Sequence, residues 1–481
     1  MSHFWIKCSN FADEVLHTTM MMPMKTRMLH ILLMLSVCLW GRAQETYVFP
    51  ESVKPLIATQ WGQYYPFNLL CPKNKYSEDY ERNLAGCGPV AMAQVVNYHR
   101  YPSTSPDGEY VYDWGKMFRV LNPELTKTKI VAVAKLISDC GVSSFTSYDD
   151  EASSTTLVQM MGAMKRLFNY SDDMCLYARD DFKTPQRDSL FRQLIFSELK
   201  AGRPVFYGGT SEKKGSHVFL IDGCKNQKVH VNMGWGGASD GFYDLDDIDD
   251  FNASQSLLIE VADSNYRAPV KNVVLTKAGT LASQLTDHEL LTTRHIQVSG
   301  PMSRSDITTL RTMLCSGMLR TVNLERAEIE VLPDSAFYGC TYLSHFVTPR
   351  TLRSTGNFTF CKCPSLNKVV FHEGLRVVGN AAFAECTSLL NVFLPTTTEY
   401  VGHSAFSASE ALLNVELPDG VRYLGHYAFA YCENLNSISL PKALEKAGRD
   451  ILYKCPNLRQ IFIDTDNPNY EVDGLQIRLK H

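Results

Sequence analysis

The sequence predicts an α+β fold: a mixed helix and sheet domain followed by a solenoid that adds one strand per turn. Three observations carry that expectation. Phe337, Phe360, Phe383, Phe406, Phe429 and Leu452 recur every 23 residues without a slip, as in a stacked repeat. Far upstream, Asn83-Leu-Ala-Gly-Cys-Gly-Pro-Val-Ala-Met-Ala-Gln-Val-Val-Asn-Tyr-His99 reads as a glycine-flanked turn entering a helix, with Pro89 in the first turn where a missing N–H costs nothing. Between them, Lys214 to Gly223 and Val229 to Asn232 read as neighbouring strands joined by a tight polar turn.

Taken from the N-terminus, Lys25 and Arg27 precede an apolar run from Met28 to Trp40 that ends in Gly41-Arg42-Ala43. Residues 1–43 are therefore expected to be a signal peptide cut after Ala43, with translation starting between Met20 and Met24. The run is too short to span a bilayer, and no integral membrane segment is expected once it is removed. A mixed domain is expected over 44–265, a linker and repeat-capping region over 266–330, and repeats over 331–481. At 45% hydrophobic and 20% charged residues with a net charge of −4, the chain is globular in composition. It has no basic excess to neutralise phosphates, so nucleic acid is not an expected partner.

Within each repeat the register is fixed. Three residues after the ring come Cys340, Cys363, Cys386, Ser409, Cys432 and Cys455, and six after it come Leu343, Leu366, Leu389, Leu412, Leu435 and Leu458. Four before it lie Gly356, Gly379, Gly402, Gly425 and Gly448, with Pro333 in the first copy, which predicts a corner at one place in every unit. Alternating stretches such as Asn391-Val-Phe-Leu-Pro395 and Asn436-Ser-Ile-Ser-Leu-Pro441 supply the strand. One strand cannot bury its own face, and stacking covers it. Small apolar residues held in register are core positions, so the repeat cysteines are expected to be buried thiols. Cys361 and Cys363 lack the second pair of ligands a zinc site needs, and no metal is expected.

Cys87 sits at a helix mouth, where the positive end of the helix dipole is expected to lower its pKa and favour the nucleophilic thiolate. Such a thiol needs a base. His99 lies twelve residues down the same helix, about 18 Å away, and is excluded. His217, at the start of an apolar strand, is the expected base. His230 alternates with Val229 and Val231 as an outward-facing residue would. Asn232 follows in the order nucleophile, base, amide, and its side-chain carbonyl is expected to accept the imidazole N–H and hold the ring toward sulfur.

The blocks Ala85-Gly-Cys-Gly-Pro-Val-Ala-Met-Ala-Gln94, Asn97-Tyr-His-Arg-Tyr-Pro102, Gly215-Ser-His-Val-Phe-Leu-Ile-Asp-Gly223 and Gly234-Trp-Gly-Gly-Ala-Ser-Asp-Gly241 resemble the streptopain family of papain-fold peptidases, over about Thr59 to Val261. The repeats resemble BspA-like leucine-rich repeats of bacterial surface proteins, with Gly279 to Glu330 resembling the irregular cap that precedes such arrays. No C-terminal cap is recognised after Asn467, so the last turn is expected to be open or the array cut short. The resemblance implies a papain-like catalytic domain needing no cofactor, with Cys87 as nucleophile, His217 as base and Asn232 orienting it. Gln63, in Trp61-Gly-Gln-Tyr-Tyr-Pro-Phe-Asn68, carries over as an oxyanion donor, a role a neutral amide fills without ionising. Ser216 and Trp235 are expected beside the substrate. The loop Ser147 to Thr156, with Asp149, Asp150 and Glu151, matches a region lining the family's cleft but assigns no subsite.

Two residues depart from the pattern. Met233 stands where the family has a tryptophan, altering one wall of the histidine pocket, and Ser216 replaces a glycine. Only about 15 residues separate Ala43 from Thr59, too few for the family's propeptide. Latency then comes from elsewhere, either the solenoid or a separate inhibitor, or the protein is active on export. The leading expectation is a secreted or surface-held bacterial cysteine endopeptidase acting on protein or peptide, with repeats that bind a host protein, a matrix component or the envelope. The alternatives are an inactive adhesin on a papain-like scaffold and an amidase acting on small cell-wall peptides.

Overall fold

Residues 218–221 are apolar without alternation, the pattern of a strand covered on both faces. Gly215–Lys225 is accordingly interior to a six-stranded antiparallel sheet whose order is Cys175–Ala178, Ala253–Ile259, Val205–Ser211, Gly215–Lys225, Lys228–Asn232, Gly241–Tyr243. The computed structural model describes residues 49, 51–74, 81–148 and 153–480. The expected signal peptide, its start between Met20 and Met24, and the acidic residues Asp149, Asp150 and Glu151 lie outside the described residues. The chain divides into two compact units between Tyr266 and Arg267.

In the first unit, the helices Cys87–His99, Lys127–Ser143 and Leu157–Leu167 share one core with the sheet, through residues such as Val90, Leu136, Met160, Phe206 and Leu220. Local signals set where they begin. Thr156 and Gln159 close a capping box on the third helix. Thr184 caps the helix Pro185–Lys200, whose proline occupies the tolerated first position. The chain ahead of the Cys87 helix is laced along the sheet. Val53 pairs with Cys224, the Leu56 N–H donates to the Asp222 carbonyl, and the buried Asp222 carboxylate accepts the Ile57 N–H at 2.9 Å. That lacing delivers residues 59–63 to the sheet end where His217 lies.

In the second unit the 23-residue register becomes a solenoid. Phe337, Phe360, Phe383, Phe406 and Phe429 are fully buried and stack at centroid spacings of 5.0–5.4 Å. The expected single strand per turn is amended, because most turns carry two short parallel strands. One column contains His345–Val347 and Lys368–Val370, and resumes at Asn414–Glu416, Ser437–Leu440 and Gln460–Ile463. The other holds two-residue strands from Val331–Leu332 to Lys446–Ala447. At the predicted strand Asn391 to Pro395 the first column reduces to one bridge, Phe393 with Glu416. Nothing in the structure explains that break.

Two further expectations are corrected and one is refined. The corner expected at one place in every unit is turned two residues after Pro333 and each repeat glycine, at Ser335, Phe358, Ala381, Ser404, Tyr427 and Asp450 with φ of 48–57°, and not by positive φ at the repeat glycines themselves. Those glycines allow stacking: a Cβ on Gly379 would lie 2.2 Å from the Gly356 carbonyl oxygen. The region before the repeats is regular, not irregular, with His295–Pro301 pairing in parallel with Val270–Val274 and Thr321–Asn323, and the latter with His345–Val347. The last turn is also covered. The buried Asn467 amide donates to the carbonyls of Pro441, Lys442 and Leu444, and the Tyr470 hydroxyl of the hairpin Tyr470–Asp473/Gln476–Leu479 accepts the Ala447 N–H.

Candidate active site

Gly86 precedes the helix with φ 88°, a conformation that favours glycine, and Cys87 is the first helical residue. Gly88 is required for space, since a Cβ there would meet Thr155 Cγ2 at 2.2 Å and Met160 Sδ at 3.0 Å. The half-buried Cys87 thiol faces the backbone N–H of Val218 together with those of Gly88 and Cys87 itself. Val218 follows His217 in the central strand, so helix mouth and strand start meet at the sulfur.

His217 is 6% exposed. Its ring packs on Trp235 at 4.6 Å and on Phe251 at 5.3 Å between centroids. Nε2 lies 2.9 Å from the Met233 carbonyl oxygen. A carbonyl can only accept, so Nε2 carries the proton and Nδ1 is left with its lone pair. Asn232 makes no hydrogen bond to the ring, which corrects the expected arrangement. Its Oδ1 accepts from Gln94 Nε2 at 2.9 Å and from the Gly234 N–H at 3.1 Å, and its Nδ2 donates to the Thr59 carbonyl at 2.8 Å. The orienting contact therefore comes from the next residue's backbone, which Asn232 holds in place. The Met233 N–H is fixed in turn by the Asp240 carboxylate at 2.8 Å.

Gln63 is joined to the same place by backbone alone. Its carbonyl accepts the Ala85 N–H at 2.9 Å, two residues before Cys87, and the neighbouring Trp61 carbonyl accepts the Gly236 N–H at 3.1 Å. Trp61 is fully buried and donates Nε1–H to the Phe118 carbonyl. One extended segment thus bridges the helix mouth and the Trp235 loop, with the Gln63 side chain half-exposed between them. Ser216 lies elsewhere. Successive strand residues face opposite sides, and its exposed hydroxyl is 3.0 Å from the Thr210 hydroxyl, away from the His217 ring.

Burial dominates the electrostatics. It pushes the Cys87 thiol up, outweighing the N–H groups of Val218, Gly88 and Cys87, so the expected lowering by the helix mouth is reversed. Burial also holds His217 down at about 4, against the Met233 carbonyl and the Asp249 carboxylate, which favour the charged ring. Burial thus disfavours charge on both the sulfur and the ring. His230 is half-buried, its Nδ1 2.6 Å from Asp222, and His99 ends the helix with Nδ1 3.0 Å from the Tyr170 hydroxyl. Sequence reasoning missed Gln94, Asp240 and the Met233 carbonyl. Gln94, two helical turns beyond Cys87, carried a signal in its spacing; a backbone carbonyl carries none.

Residues 61–243 match the Peptidase C10 family, and residues 314–412 and 399–471 match the BspA type leucine rich repeat region in six copies. The chain is similar to streptopain of Streptococcus pyogenes, 29% identical over 216 residues, or 39% of this chain and 53% of that protein. It thus spans about half the length of the curated relatives in that group. It is also similar to the active wild-type interpain A cysteine protease of Prevotella intermedia, 30% identical, covering 45% of this chain and 97% of that one at a TM-score of 0.40. A leucine-rich repeat protein of T. pallidum is 28% identical, covering 30% of this chain and 68% of its own at a TM-score of 0.28. The chain carries a peptidase C10, or streptopain family, domain with a papain-like α+β fold, followed by a BspA-type leucine-rich repeat region.

Proposed function

We propose that the first unit is a cysteine endopeptidase in which Cys87 attacks the peptide carbonyl and His217 accepts its proton. The observation that carries this reading is the Nε2–H···O=C bond from His217 to Met233, which leaves Nδ1 basic at the strand end that abuts the Cys87 sulfur. Proton transfer from the sulfur to Nδ1 gives the thiolate-imidazolium pair whose thiolate attacks the carbonyl. The tetrahedral oxyanion is received by the Gln63 amide and by the Cys87 N–H, a helix-terminal donor without an intrahelical partner. His217 then protonates the leaving amine and activates the water that hydrolyses the thioester. Trp235 forms the ring's wall and Asn232 is a positioning residue, while the Ser216 hydroxyl faces Thr210.

The protein is exported and its repeats bind a protein on a host cell, in the matrix or on the envelope. Support for binding comes from a depression of about 340 Å³ lined by Arg350, Phe371, His372, Glu373 and Phe393, with Phe393 75% exposed and Arg350 paired with Glu325. Incubation of the reduced chain with an epoxide of the E-64 type, peptide mapping and digestion of casein test the enzymatic reading. Labelling at Cys87, with casein turnover abolished in Cys87→Ala and His217→Ala, is expected. An unlabelled Cys87 with intact casein would leave a binding protein on a papain-like scaffold.

A further inference from the structure

Most repeat thiols close one recurring bond. Cys363, Cys386, Cys432 and Cys455 donate to the carbonyls of Phe337, Phe360, Phe406 and Phe429 at 3.1–3.3 Å, and the Ser409 hydroxyl donates to Phe383 at 2.9 Å. Each reaches the ring residue of the preceding turn. Cys340 opens the series and has no such turn before it. The corresponding place is taken by the end of the helix Arg304–Cys315, and the Cys315 sulfur lies 3.6 Å from the Cys340 sulfur. Cys340 is fully buried and Cys315 is exposed.

We infer that Cys315 and Cys340 form a modification site that takes up a small-molecule disulfide and closes into a cystine joining the helix Arg304–Cys315 to the first repeat. The two sulfurs are in contact and would approach to about 2.05 Å on bonding. Solvent reaches only one of them, which fixes the order of events. The Cys315 thiolate attacks one sulfur of a disulfide such as oxidised glutathione, whose S–S bond breaks and releases one small thiolate that takes a proton from water. Cys315 now carries a mixed disulfide. The Cys340 sulfur attacks the Cys315 sulfur, its proton passes to the departing small thiolate, and the second small thiol leaves. Two protein thiols lose two electrons and one small disulfide gains them. Contact with Cys315 and burial both push the Cys340 thiol up, which suits a slow resolving group rather than the entry point.

The full-length reduced chain would be incubated with oxidised glutathione, quenched with alkylating reagent, digested without reduction and mapped by mass spectrometry. A Cys315–Cys340 linked peptide is expected, together with a higher guanidinium midpoint that dithiothreitol reverses. Cys340→Ser should leave glutathione trapped on Cys315, and Ser409 shows that a hydroxyl is accommodated at this register position. A stable glutathione adduct on Cys315 of the unsubstituted chain with no linked peptide would overturn the inference. So would modification of Cys87 while both Cys315 and Cys340 remain alkylatable.

Discussion

Removing the Asn232 amide would strip hydrogen bonds to Gln94, the Thr59 carbonyl and the Gly234 N–H at once, all in a buried setting. Each buried polar group left without a partner costs about 1–3 kcal/mol, so Asn232→Ala should destabilise the first unit by roughly 2–4 kcal/mol. Casein turnover should fall about 10- to 100-fold rather than vanish, because the acceptor for His217 is the Met233 backbone, which is displaced but not deleted. Gln94→Ala should act on the same network, with a double-variant coupling of at least about 0.5 kcal/mol. Full stability with abolished turnover in Asn232→Ala would instead mean that Asn232 acts directly on the ring. Trp235→Ala tests the other support. Burial holds His217 at about 4, so opening the ring to water should raise its pKa, and the acid limb of kcat/KM should move up by at least half a pH unit. Activity lost at pH 5 would then exceed activity lost at pH 7.5; equal losses would assign Trp235 to substrate contact alone.

At the level of elements, the solenoid separates positions fixed by space from those fixed by a hydrogen bond. Gly379→Ala pushes a methyl to 2.2 Å from the Gly356 carbonyl oxygen, which backbone must absorb, and should cost about 2–3 kcal/mol. Cys386→Ser should cost about 1 kcal/mol or less, since Ser409 makes the equivalent bond one turn later. Guanidinium unfolding of the two variants checks the ordering, and the reverse ordering would sink this account of the stack. The 23-residue register was legible because every copy repeats the same burial, and the helix mouth because Gly86 and Gly88 have no substitute there. The parallel strands of the capping region were not, since they bury their faces through neighbours in the sheet that no local pattern reports. Nor was the hairpin after Asn467, whose function as a cover depends on one side-chain amide and one tyrosine hydroxyl. Within the site, the residue types were visible, and the division of labour between Asn232 and the Met233 carbonyl became visible only with the fold.

For the whole molecule, the two units have separate hydrophobic cores, one running from Ile57 to Val261 and the other from Val273 to Tyr470, so two unfolding transitions are expected. Their response to acid should differ. His99 and His217 in the first unit are each held at about 4 by burial. A histidine lowered in the folded state binds fewer protons than the unfolded chain between about 4 and 6.5, so its stabilisation is complete above 6.5 and is lost as pH falls through that window. His217 alone accounts for up to about 3 kcal/mol of this change. Asp139 and Asp240, raised by burial, bind more protons folded than unfolded from their raised pKa down to about 3.8, so they offset part of this loss as pH falls. In the second unit His372 is also lowered by burial, but it is half-exposed, and the lowered carboxylates Glu289, Asp306, Glu325 and Glu373 lose their contributions only below about 4.5. Calorimetry at pH 7.5, 6 and 5 should therefore show the first unit's transition falling further than the second's, with Phe383→Ala marking the second by shifting it selectively. Transitions that fall together, or a Phe383→Ala shift felt equally by both, would mean that the two cores unfold as one.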